Sequence, residues 1–101
     1  MKTKVIFRRW KGARHTSAIA LFPEIPATVN PAHCLSYETI GQHGAADPQY
    51  IMFDTRPAKG GGVERLRAEL ERAGYELQEI KRLPRRALEI RRAALSAERG
   101  E

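Results

Sequence analysis

The chain has 101 residues, enough for one hydrophobic core and no second. It is 42% hydrophobic and holds a single cysteine, Cys34, so neither a disordered chain nor an intramolecular disulfide framework fits. Lys+Arg 18 against Asp+Glu 12 gives a net charge of +6, which directs attention to anionic partners.

The first half reads as strands. In "TKVIFRRW", Val5 and Phe7 fall on one face, and Ile6, Arg8 and Trp10 on the other. "KGARH" is a turn around Gly12, and "SAIALF" is a second strand, so the two form an antiparallel hairpin. "PEIP" ends it, because proline cannot donate to a ladder. Asn30-Pro31 lies in a loop, and "CLSYETI" is a third strand. "GQHGAADP" carries turn residues without an apolar period, and "QYIMFDT" is a fourth strand closed by Arg56-Pro57.

"GGGVERLRAELERAGY" is the strongest element. Val63, Leu66, Leu70 and Ala73 make one helical stripe, and Gly74 suits the left-handed residue past its end. "YELQEIKRL" is a fifth strand whose imperfect alternation predicts a bulge or an edge position. Pro84 opens a last helix, "PRRALEIRRAALSAER", with Arg85, Arg92 and Arg99 along an outer stripe. Arg91 falls inside its apolar arc, so its stem either snorkels outward or the guanidinium finds a partner. The expected fold is α+β: a mostly antiparallel sheet of four to five strands in the order ββββαβα, one helix packed on the sheet, and a basic C-terminal helix that packs beside it or projects. The core is expected to include Val5, Phe7, Ile19, Leu21, Tyr37, Met52, Leu66 and Leu70.

The charge is uneven. Residues 1–14 contribute +6 and residues 81–92 contribute +5, while residues 15–55 contribute −4. If folding joins the two basic blocks, they form one basic face. Candidate contacts to nucleic acid are Arg8, Arg9, Lys11, Arg82, Arg85, Arg86, Arg92 and Arg99, with Trp10, Tyr37 and Tyr50 available for stacking. No helix-turn-helix, zinc-finger or RNA-recognition signature is present. The expectation is therefore a non-enzymatic module binding DNA or RNA through phosphates, with an acidic protein as the alternative partner.

A third reading is an enzyme. Cys34 could be activated by His43, with Glu38 or Asp47 orienting the imidazole. No spacing specific to a cysteine hydrolase supports it. His33, Cys34, His43 and Asp47 are metal-donor types, but no paired ligand spacing is present, and no metal or cofactor is expected. Gly41, Gln42, His43 and Gly44 form a candidate functional turn, whose glycines allow close backbone approach. "GQHG" matches neither a dinucleotide fingerprint nor a P-loop.

The runs "VIFRRWKG", "IALFPEIP", "CLSYETIGQHG" and "ELERAGYELQEIKRLPRR" together resemble a family of small bacterial proteins, also found on phages and plasmids, that has no assigned activity. The resemblance spans most of the chain and carries no catalytic residue across. It implies a bacterial or phage setting. With short apolar runs and nothing like a signal peptide or membrane span, a cytoplasmic location is the expectation.

Overall fold

The computed structural model describes residues 2–11, 18–38 and 42–100. In chain order the elements are β1 (Thr3–Trp10), β2 (Ala18–Pro26), β3 (Cys34–Glu38), β4 (Gln42–Ala46), α1 (Pro48–Asp54), β5 (Thr55–Pro57), α2 (Gly61–Arg72), β6 (Leu77–Glu79) and α3 (Ala87–Glu98). The class is α+β, with a mostly antiparallel sheet. Strands β4, β3, β2 and β1 lie side by side as an antiparallel meander.

The far edge of β1 is shared. Its first half pairs parallel with β6, at Thr3–Leu77 through Val5–Glu79. Its second half pairs antiparallel with β5, at Arg8–Pro57 through Trp10–Thr55. The imperfect alternation of residues 75–83 thus reflects a three-residue strand at the sheet margin.

Alternation in β1 and β2 divides the core in two. Val5, Phe7, Ala18, Ala20 and Phe22 face α2 and meet Val63, Leu66 and Leu70. Ile6, Ile19, Leu21, Cys34 and Ala46 face the other way and meet Ile51 of α1. Helix α3 packs on β2, and Leu83 on the approach to it joins this second layer. The C-terminal helix therefore covers the sheet and does not project. Of the expected core, Tyr37 and Met52 are only half-buried, and the other six are buried.

Helix α2 ends as its sequence dictates. Gly74 takes φ +106°, the Tyr75 N–H donates to Leu70 O, and the Gly74 N–H donates to Glu71 O. This is the Schellman arrangement, completed by Tyr75 and Leu70 packing in the same cluster.

Three expectations are corrected. The segment read as a fourth strand is helix α1 followed by the short β5. Asp47 caps it, its Oδ1 accepting from the Gln49 and Tyr50 N–H groups at 3.1 and 3.4 Å, and Pro48 occupies the first turn. A side-chain acceptor followed by proline is a helix start, and it outweighs the strand propensity of a four-residue apolar run. The segment read as a turn, Gln42–Ala46, is β4, paired with β3 from Cys34–Ala46 to Glu38–Gln42. Small residues without an apolar period can still pair, because the ladder is made by the backbone. Gly41 lies outside the described residues. Finally, α3 begins at Ala87, after a turn at 85–86, so Arg85 precedes the helix and the expected three-arginine stripe loses its first member.

Candidate nucleic-acid interface

Adjacent residues of a strand face opposite ways, and this separates Arg8 from Arg9. Arg8 shares its face with Ile19 and turns toward α1. Its Nε donates to Thr55 Oγ1 at 2.8 Å, and its Nη2 donates to Thr55 O at 2.7 Å and to Met52 O at 3.1 Å. Arg8 is buried, and burial lowers its pKa from the ordinary arginine value. It fastens the end of α1 to β1 and is withdrawn from any basic surface, which corrects its place among the candidates.

Arg9 faces the α2 side and pairs directly with Arg56 of β5. Cross-strand neighbours hold their Cβ atoms about 5 Å apart, and like charges so placed oppose each other. Neither arginine has a carboxylate partner among the described residues. One ladder step away, the Arg67 guanidinium lies over the Phe7 ring at 5.1 Å, while its charge is matched by Glu79. Lys11 follows at the end of β1. Its Nζ donates to Phe53 O at 2.8 Å and stands 5.3 Å from the centre of the Phe53 ring. Phe53 is 76% exposed and Tyr50, one helical turn earlier, is 59% exposed. Arg9 and Arg56 are thus two unneutralised guanidinium groups on the α2 side of the sheet, while Lys11 lies with exposed aromatic rings at α1, on the other side.

The C-terminal block lies elsewhere. Arg82, Arg85 and Arg92 are exposed and have no ion pair among the described residues. Arg86 is paired with Glu89 at 3.0 Å. Arg92 and Arg99 border a shallow groove with Val29, Pro31 and Leu95. Because α3 covers the face of the sheet opposite α2, Arg92 and Arg9 lie on opposite sides of the sheet. The condition for one basic face, that folding joins the two blocks, is not met by these two residues.

Cys34 and His43 are likewise kept apart. Cys34 belongs to the layer under α1, whereas His43 pairs with Tyr37 on the α2 side of the sheet. The sheet itself stands between thiol and imidazole, so the dyad is not formed. His43 packs edge-on to Tyr37 at 4.9 Å, and its Nε2 shares a 3.0 Å hydrogen bond with the Tyr75 hydroxyl. Tyr75 in turn stacks on Phe22 at 5.0 Å. The histidine is therefore the exposed end of an aromatic stack on β4. Among the described residues no group of three His, Cys, Asp or Glu side chains is gathered in a way that could hold a metal ion.

Burial pushes the Cys34 thiol up to about 11, with the positive charge of Arg91 opposing the shift. A raised acid pKa means that the folded state keeps a proton which the unfolded chain releases first. Stability should thus be intact below about pH 8.5 and fall as pH rises toward 11, by about 2–3 kcal/mol in all. Urea denaturation at pH 7, 9 and 10.5 checks this. The loss should shrink in Cys34→Ala, and an equal pH dependence in both proteins would count against it. Ellman's reagent should modify native Cys34 only as fast as the protein opens.

Arg56 was not marked by its sequence context. It sits in a charge-balanced stretch, and only the β1–β5 pairing, 47 residues apart, gives it a neighbour of like charge. No helix among the described residues is long and apolar enough to cross a membrane. Comparisons with protein-family models, with curated proteins and with solved structures gave no match.

Proposed function

We propose that the protein binds nucleic acid through its phosphates, with Arg9 and Arg56 as the principal contacts. The observation that carries this reading is the like-charged pair itself. Two guanidiniums held side by side without a carboxylate cost folding free energy, and a polyanion laid across them turns that repulsion into attraction. Three acids are committed to other cations: Glu24 to Lys4, Glu79 to Arg67 and Lys81, and Glu89 to Arg86. Lys11 adds positive charge at the end of β1, and Phe53 and Tyr50 on the α1 side offer rings on which unpaired bases can stack. The sequence carries no base-reading motif and the contacts are to phosphates, so binding is expected to be weak in sequence preference.

The test is a titration of duplex DNA, single-stranded DNA and RNA at two salt concentrations. The double variant Arg9→Ala/Arg56→Ala should flatten the slope of log affinity against log salt by about two units on duplex DNA. Variants at Arg85 and Arg92 should change it less. Absence of binding to all three at low salt would dismiss the reading. The second reading, an acidic protein partner, is favoured by the exposed Tyr50 and Phe53 beside Lys11, which combine apolar area with positive charge.

A further inference from the structure

Between the start of α1 and the approach to α3 lies a cavity of about 310 Å³. Leu83, Pro84 and Leu88 give it an apolar wall, and Asp47, Arg85 and Arg91 give it charge. Arg91 is only 4% exposed. Its Nε donates to Pro31 O at 2.7 Å and its Nη1 to Pro23 O at 2.6 Å. These bonds use two of the five N–H donors of a guanidinium. Among the described residues no carboxylate forms an ion pair with Arg91 or with Arg85.

A buried cation without a counter-ion is costly, and carbonyl dipoles offset only part of that cost. Here the buried cation borders an open cavity, with a second, exposed cation on the rim. We propose that this cavity is a binding site for a small organic carboxylate. The carboxylate pairs with Arg91 and Arg85, and the apolar body lies along Leu83, Pro84 and Leu88. The volume is at the small end of ligand pockets, which limits the body to about the size of one ring. Asp47, whose Oδ1 is committed to capping α1, places a negative charge on the same wall. That charge disfavours multiply charged anions such as phosphate and leaves a singly charged acid as the matching ligand. The site is separate from the Arg9–Arg56 pair and does not depend on nucleic-acid binding.

The experiment titrates the 15N-labelled full chain with phenylacetate, with its neutral isostere phenylacetamide, and with inorganic phosphate, all at one ionic strength. Phenylacetate should shift the amides of Ala32, Gln49, Ala87 and Leu88 saturably. The amide and phosphate should bind about tenfold more weakly or worse, since each fails to supply a single matched charge. Arg85→Gln should weaken phenylacetate about tenfold. Leu88→Trp should fill the cavity and remove binding. Both positions are exposed, so both variants should keep the wild-type melting temperature, and Arg91 itself stays untouched. Arg9→Ala/Arg56→Ala should leave phenylacetate affinity unchanged. Equal binding of acid and amide, phosphate binding as tight as phenylacetate, no saturable shift with phenylacetate, or indifference to both cavity variants would each overturn the proposal.

Discussion

Replacing Arg91 with alanine is expected to lower the unfolding free energy by about 3–5 kcal/mol. Two charge-assisted hydrogen bonds of about 1.5–3 kcal/mol each are lost at once. Their acceptors belong to different segments: Pro23 is buried near the end of β2, and Pro31 lies in the loop leading to β3. Arg91 thereby ties that loop to α3 across 60 residues of chain. Arg91→Met keeps most of the apolar stem and loses both bonds, so it should recover only the packing part of the loss. Arg91→Lys presents one ammonium where two carbonyls diverge, and should fall between the two. Urea denaturation of the three variants gives the ordering. A loss below about 1 kcal/mol in the alanine variant would mean that the loop is held without the guanidinium.

Phe22→Ala is expected to cost about 3–5 kcal/mol, the range for deleting a fully buried ring. The ring lies between the sheet and the end of α2, stacked on Tyr75 with an interplanar angle of 16°. Removing it also strips the support from Tyr75 and, through the shared hydrogen bond, from His43. Phe22→Leu keeps much of the volume and should cost less than half as much, the remainder measuring the lost ring contacts. Thermal denaturation gives the sizes, and the near-ultraviolet circular dichroism of Tyr75 should weaken in both variants. An alanine variant within about 1 kcal/mol of the parent would mean that α2 does not rest on this ring.

The elements that were legible in the sequence are those whose local pattern and tertiary role agree. Strands β1 and β2 alternate because each face meets its own helix layer, and the Val63, Leu66 and Leu70 stripe is the face that α2 buries. Arg91 was legible as an anomaly, a cation in an apolar arc, although its carbonyl partners were not. Helix α1 was not legible, because Tyr50 to Phe53 is one apolar run that serves a strand as well as a helix. The deciding signal, Asp47 followed by Pro48, is local and was present. Strand β4 was hidden for the opposite reason: its residues carry no period, and only its partner gives it order. Arg8 and Arg9 show how a single misread element changes a site. They are identical neighbours, and which of them is buried depends on the helix that covers one face. Arg56 needed the long-range register of β5 and had no local mark.

The shared far edge of β1 bears on how the chain folds. The meander of β1 to β4 is built from contacts close in sequence, and it can form while the rest of the chain is still unstructured. The outer edge of β1 must wait for residues 55–57 and then for residues 77–79, so closing Thr3 onto Leu77 encloses most of the polypeptide. Until both short strands dock, an open strand edge and the apolar face that α2 will cover are available to other molecules. A weakened β6 should therefore show itself as aggregation during refolding more than as a lower melting temperature.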